Sequence, residues 1–274
     1  MSLFTIDADK CRHDGICAAV CPLRLIQPAD QDHLPRAIAG AQELCINCGH
    51  CAAACPHGAL ELAAMPLASL AEIRPELRIS PAQAEQFLRA RRSVRNFKPE
   101  ELPRETLQHL IAVARYAPSG HNVQPVHWLV ISGREKLAGL AAQVIAWMEL
   151  VINSGDPLAG LLHLERVVEF WRQGRDPILR GAPHLVMVHA PKAERTAPQA
   201  CTLAIAFLDL IAQANSLGAC WAGFFNAAAL LYPPLKNALG LPADHVPGGA
   251  LMLGRPAETY WRIPDRKPAA ITWA

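Results

Sequence analysis

Apolar positions in this chain fall into stretches of different period, and the places where the period changes mark out its elements. After Pro103, Leu107, Leu110, Ile111 and Ala114 recur at helical spacing until Ala117-Pro118-Ser119-Gly120 ends the run. Upstream of it, Ser80-Pro81 supplies an N-cap and a first-turn proline for a helix reaching about Arg92. Val126–Ser132, Pro183–Ala190, Ala219–Phe225 and Gly249–Leu253 read as short, mostly buried strands separated by long helical segments. Among these, 149–181 is a helical excursion with Leu161–Trp171 as a candidate substrate lid or dimer-packing helix; His163 and Arg166 lie on its polar face. Residues before 65 show neither period clearly and are rich in Cys, Gly and Pro, as expected where a metal centre replaces a hydrophobic core. Prolines at 66, 75 and 81 interrupt any regular element between the two regions. The expected organisation is therefore a small domain at 1–64, a linker at 65–81 and a mixed α+β domain at 82–274.

Composition narrows the class. With 51% hydrophobic and 18% charged residues the 274-residue chain can bury a substantial core, and a net charge of +2 gives no broad footprint for nucleic acid. The stretch Cys201–Phe225 is the most apolar, but Asp209, Gln213, Asn215 and Gly218 interrupt it, so a buried helix and strand are expected in place of a membrane span. The first residues lack a basic flank followed by an apolar run, which makes a cytoplasmic location the expectation. Nine cysteines in such a compartment point to metal ligands or core thiols, and seven of them precede residue 56.

The spacing of these seven carries the chemistry. Cys45-x2-Cys48-x2-Cys51-x3-Cys55-Pro56 is the bacterial 4Fe-4S spacing, whereas a structural zinc site would separate its cysteine pairs by a longer arm. Upstream, Cys11-x2-Asp14-x2-Cys17-x3-Cys21-Pro22 repeats the run with an aspartate in place of the second cysteine. A carboxylate is a harder ligand than a thiolate, so Asp14 either completes a labile corner of a 4Fe-4S cluster or leaves a 3Fe-4S cluster, or is a solvated turn residue. These residues resemble a two-cluster bacterial ferredoxin. The resemblance implies a pseudo-twofold fold with crossed ligation: Cys45, Cys48, Cys51 and Cys21 on one cluster, and Cys11, Asp14, Cys17 and Cys55 on the other. Cys201 and Cys220 sit in apolar stretches and read as core thiols.

Farther on, Arg91-Arg92-Ser93-Val94-Arg95 concentrates guanidinium groups and a hydroxyl suited to a phosphate monoester. With Pro118-Ser119-Gly120-His121-Asn122-Val123-Gln124-Pro125, Leu253-Gly254-Arg255-Pro256 and the segment Arg262–Pro268, it resembles the FMN-dependent nitroreductase family over residues 84–274. That resemblance implies FMN phosphate binding by Arg91, Arg92, Ser93, Arg95, Arg266 and Lys267. It implies contacts to the flavin ring from Pro118, Ser119, Gly120, Asn122 and Gln124, a backbone contact near Ala222 and Gly223, and a place for Gly254 in the cofactor site. It further implies a homodimer. Val126 and Ala222 depart from commoner residues at their positions, which weakens any inference about substrate.

Together the two blocks describe an oxidoreductase in which clusters feed electrons one at a time to FMN for reduction of a small acceptor such as a nitro compound or quinone. Reductive dehalogenation or flavin destruction would fit the same fold, and a redox-sensing or electron-transfer role without a dedicated substrate is the alternative from another class. No Gly-x-Gly-x-x-Gly or Gly-Lys-Ser/Thr loop is present, so the donor is expected to be ferredoxin or NAD(P)H reaching the redox centres directly.

Overall fold

A computed structural model describes residues 2–30 and 33–274. Its contacts divide the chain into two compact units, Met1–Arg78 with His121–Val123, and Ile79–Gly120 with Gln124–Ala274.

The first unit repeats a small plan. In order come β1 (Phe4–Ile6), α1 (Ile16–Ala19), β2 (Ile26–Gln27), β3 (Arg36–Ala37), α2 (Ala41–Leu44), α3 (His50–Ala53) and β4 (Leu60–Leu62). β1 pairs antiparallel with β4, and β2 with β3. The helices α1 and α3 begin at matching places in the two cysteine runs, each after a glycine in the left-handed region, Gly15 (φ 72) and Gly49 (φ 75). Just before them His13 and Asn47 also have positive φ, so both loops coil alike around their thiols. The apolar core is small, comprising Phe4, Cys17, Ile26, Ala52, Leu60 and Leu62. Between this unit's last strand and residue 79 the chain forms only two single 3-10 turns, Leu67–Ser69 and Pro75–Leu77.

The second unit opens with α4 (Pro81–Ala90), whose N-cap Ser80 side chain accepts a hydrogen bond from the Gln83 amide while Gln83 Oε1 accepts one from Ser80 N. It continues with α5 (Arg104–Ala114), β5 (His127–Ser132), α6 (Arg134–Asn153), α7 (Leu158–Leu161), α8 (Leu164–Arg172), β6 (His184–Pro191), α9 (Ala197–Ala214), β7 (Gly218–Trp221), α10 (Gly223–Leu231), α11 (Pro233–Ala238) and β8 (His245–Gly254). The sheet has the order β5-β6-β8-β7 and is antiparallel throughout. On one of its faces α5 and α9 pack through Leu107, Leu110, Cys201, Ile205 and Leu208; the other core cluster joins α6, α8 and α10 through Val144, Met148, Leu164, Val168 and Phe225. Both Cys201 and Cys220 are buried as small core residues.

Two expectations change. The strand expected at Ala219–Phe225 stops at Trp221, and Gly223–Leu231 is a helix. Its apolar residues then serve a helix packed on the sheet, because Ala228 and Ala229 fall one turn from Phe225 and all three are buried. The other concerns the start of the excursion at 149–181, which opens as the last turns of α6, while in α8 Leu164 and Val168 are buried against α6. α9 is long and apolar enough to cross a membrane by length and composition alone, and its buried residues, Cys201, Ile205 and Leu208 among them, lie in the core.

Candidate redox-centre sites

The cysteine runs form two cavities, and the residues lining them are sorted across the runs. One, with about 420 Å³ of empty volume, is lined by Cys21, Cys45, Cys48 and Cys51 together with Leu3, Phe4 and Ile26. The other, of about 340 Å³, is lined by Cys11, Asp14, Cys17 and Cys55 with His57 and Leu60. Each run therefore sends its last cysteine to the other run's cavity. The exchange is symmetric in its hydrogen bonds as well: Leu25 N donates to Cys21 Sγ and Ala59 N to Cys55 Sγ, both at 3.3 Å. Such N–H to sulfur bonds stabilise thiolates and raise the potential of a cluster bound to them.

Burial pushes the Cys51 thiol up to about 11 and raises that of Cys17. These two thiols are thus held neutral until a metal replaces their protons. A donor set of four soft thiolates in one small, largely apolar cavity fits a 4Fe-4S cluster. In the second cavity Asp14 occupies the position that Cys48 holds in the first. Its Oδ1 accepts from Ile16 N at 3.1 Å and its Oδ2 lies 3.9 Å from His57 Nε2, so the carboxylate has its own turn and a neighbouring imidazole. Asn122 belongs to this compact unit: its Nδ2 donates to Ile46 O (3.1 Å) and Asn47 O (3.0 Å).

In the second unit the arginine segment runs along the sheet edge. Val94 N donates to Ala219 O at 2.9 Å, and Ser93 makes a parallel bridge with Ala219. Beyond it, Lys98 N donates to Arg255 O and Ala257 N to Asn96 O, which brings the C-terminal segment back to the start of the unit. As a result Arg89, Arg91 and Arg266 line one cavity of about 790 Å³ with Leu88, Ile263, Pro264 and Asp265. Arg91 is anchored there by Asp209 of α9, whose Oδ2 lies 3.2 Å from Arg91 Nη1. Burial raises the Asp209 carboxyl against the opposing pull of Arg91.

The remaining sequence candidates are spread around the unit. Burial raises the Cys220 thiol, with the charges of Arg95 and Arg180 and a hydrogen bond with Ser93 acting against it, which places Ser93 and Arg95 beside Cys220. Arg92 is half-buried, and Lys267 and Pro118 are exposed. Ser119 Oγ accepts from Gln124 N at 2.9 Å, and both residues line a further cavity of about 700 Å³ with Ile111, Arg115, Val126 and Trp128. Gly120 packs so closely on Thr196 that a Cβ would come within 2.5 Å of its methyl group. Ala222 N donates to Ala250 O, while Gly223 begins α10 with open space where a Cβ would stand. Gly254 faces Pro183, 2.7 Å from where its Cβ would lie. In the sequence Asp209 reads only as a break in an apolar stretch: it lies 118 residues from Arg91, and no local pattern announces such a pair.

Comparison with known proteins follows the same division. Residues 88–255 match the nitroreductase family and residues 9–60 match the 4Fe-4S dicluster domain. An iodotyrosine deiodinase from Thermotoga neapolitana is 34% identical over 130 residues, covering 47% of this chain and 67% of the relative. The nitroreductase NfnB of Mycolicibacterium smegmatis is 46% identical over 57 residues, which are 20% of this chain and 24% of that protein. Among solved structures, a nitroreductase with bound FMN from Bacteroides fragilis superposes with a TM-score of 0.58 at 24% identity, covering 70% of this chain and 98% of that one.

Proposed function

The chain belongs to the nitroreductase family and carries a 4Fe-4S ferredoxin-type domain at its N-terminus; from that premise we propose that it is an FMN-dependent oxidoreductase whose two iron–sulfur clusters supply electrons for reduction of a small acceptor. The observation that carries the reading is the sorting of eight ligands into two cavities, Cys21 with Cys45, Cys48 and Cys51, and Cys55 with Cys11, Asp14 and Cys17. Crossed sets of this kind suit one-electron carriers, and a flavin when bound exchanges electrons singly with such carriers and in pairs with a substrate.

Arg91 and Arg266 would hold the FMN phosphate in their shared cavity, with Ser93, Arg95, Arg92 and Lys267 along the same edge. Asp209 fixes the Arg91 guanidinium before any ligand arrives, so the charge is pre-organised and less of its rotamer entropy is lost on binding. Ser119, Gln124 and Trp128 offer a mixed polar and aromatic wall suited to a planar ring, and the family resemblance adds Pro118 and Gly120. Gly223, at the start of α10, and Ala222 would approach the ring through backbone, with Gly254 nearby in the same reading. Donation by ferredoxin or NAD(P)H, a homodimeric assembly and a nitro compound or quinone as acceptor complete the proposal.

The deiodinase relative favours a second reading of the acceptor, a halogenated phenol reduced with loss of halide. Protein purified without oxygen should contain iron, sulfide and FMN, and after reduction should be reoxidised stoichiometrically by a nitroaromatic, a quinone or an iodophenol. Fully reduced protein that transfers electrons to none of them would leave the sensing role in place of the enzyme. A preparation without flavin would remove both.

A further inference from the structure

Three histidines from three neighbouring strands meet on one face of the main sheet, and neither the family match nor the proposed redox chemistry uses them. His127 pairs directly with His189 in the β5–β6 ladder. His245 sits opposite Pro191, two residues along β6 from His189, and so on the same face. It does so only because of an irregularity in the register. Val188 pairs with Gly249 but His189 with Pro247, which leaves Gly248 as an extra residue in β8. Continued without that extra residue, the ladder would set His245 opposite Lys192 and turn its ring to the other face, because a one-residue slip exchanges the faces of a strand.

The rings converge. Their centroids are 4.6 Å apart for His127 and His245, 5.0 Å for His189 and His245, and 5.4 Å for His127 and His189. His189 Nδ1 and His245 Nδ1 face one another at 2.8 Å, and both rings are buried. Two imidazole nitrogens aimed at a single point share one proton there, and that point is also where a cation would sit. As the side chains stand, the three histidines are not spaced for a metal ion. The shared hydrogen bond holds the first two nitrogens too close together. Tetrahedral coordination at Zn–N distances of about 2.0–2.1 Å separates two nitrogens by roughly 3.3 Å, so the pair must open by about half an ångström. His127 is exposed at the start of the outer strand β5, with its ring against both of the others.

We propose that His127, His189 and His245 form a binding site for a divalent transition-metal ion of the zinc type, which takes the place of the proton between the two buried rings and ties β5, β6 and β8 together; that proton moves to Nε2 of the ring that carries it, so both imidazoles stay neutral. Neutral imidazoles suit zinc, nickel and copper, and a three-histidine set leaves a further coordination position for water. The site lies wholly within the second unit and shares no residue with the arginine cavity or the cysteine cavities.

Untagged protein with clusters and flavin intact, dialysed anaerobically against micromolar zinc chloride, tests this by metal analysis of zinc and iron together. The wild type should retain one zinc per chain with its iron unchanged, and zinc should raise its Tm. His127→Ala should weaken zinc binding by roughly tenfold or more, since loss of even an outer partner of a ligand costs about 10–100-fold. His189→Gln and His245→Gln should abolish retention. His127 is exposed, so its variant should fold normally, and loss of the zinc-dependent rise in Tm in that variant distinguishes ligation from damage to the core. Failure of the wild type to take up zinc, equal retention by all variants, or zinc gained only as iron is lost to the cysteines would each overturn the proposal.

Discussion

Arg91 and Asp209 form a lopsided ion pair: at 3.2 Å the carboxylate side chain is 6% exposed and the guanidinium 28%. Removing one partner leaves a very different orphan from removing the other. Arg91→Ala strands a buried carboxylate and should cost about 3 kcal/mol. Asp209→Asn leaves an arginine that water can reach and an amide able to hydrogen-bond, and should cost about 1 kcal/mol. Urea unfolding of the two variants at equal flavin loading measures the difference; equal losses would show that burial does not set the energetics of the pair.

Flavin retention should depend on exposed arginines that contribute little to the fold. Arg266→Ala combined with Arg95→Ala should weaken FMN binding by at least tenfold, about 1.4 kcal/mol, while cluster absorbance and Tm of the flavin-free protein stay unchanged. Fluorescence titration of released flavin reads this directly. Unaltered FMN affinity would place the phosphate elsewhere.

Asp14 takes the place of a thiolate in the second cysteine cavity. If it ligates, a mild chelator should remove about one iron per chain from the wild type and none from Asp14→Cys, because the harder carboxylate holds the ferrous corner less firmly. Iron counts and the EPR spectrum of the oxidised protein report the change from a four-iron to a three-iron cluster. Equal resistance in the two proteins would leave Asp14 as a turn residue bonded to Ile16.

His184 should make the second unit acid-sensitive. Its Nε2 accepts from Leu102 N and its Nδ1 bonds Ser132 Oγ, both at 2.7 Å, and burial holds the ring below its ordinary value of 6.5. Below about pH 6.5 the unfolded chain therefore binds a proton that the folded chain excludes, so stability falls as the pH drops. The decrease in Tm between about pH 7.5 and about pH 5.5 should be smaller in His184→Gln, which keeps an acceptor for Leu102 and does not titrate. Identical decreases would assign the acid sensitivity to other groups.

Gly254→Ala should destabilise the fold by overpacking the end of β8. The new methyl group would lie 2.7 Å from Cδ of Pro183, a ring that cannot swing away. Overpacking of this kind costs about 1–3 kcal/mol, and urea unfolding measures it. Wild-type stability would mean that the end of the β6–β8 pair relaxes freely.

What could be read from the sequence was what short-range rules control. Cysteine spacing reflects the reach of a loop, and the two runs line two separate cavities, with Cys21 beside the second run and Cys55 beside the first. Ser80-Pro81 marked the start of α4 because capping is a contact between residues three apart. Helical spacing from Leu107 to Ala114 likewise located α5, since its period is a property of the chain itself.

The tertiary structure decided everything that depends on which distant residues meet. Gly223–Leu231 is apolar enough for either a strand or a helix, and packing against the sheet selected the helix. Asp209 became the anchor of Arg91 across 118 residues, and Gly248, one extra residue in a strand, turned His245 to the same face as His127 and His189. Local sequence cannot encode these choices, because the free energy that makes them comes from burial and pairing between segments that have no fixed separation along the chain.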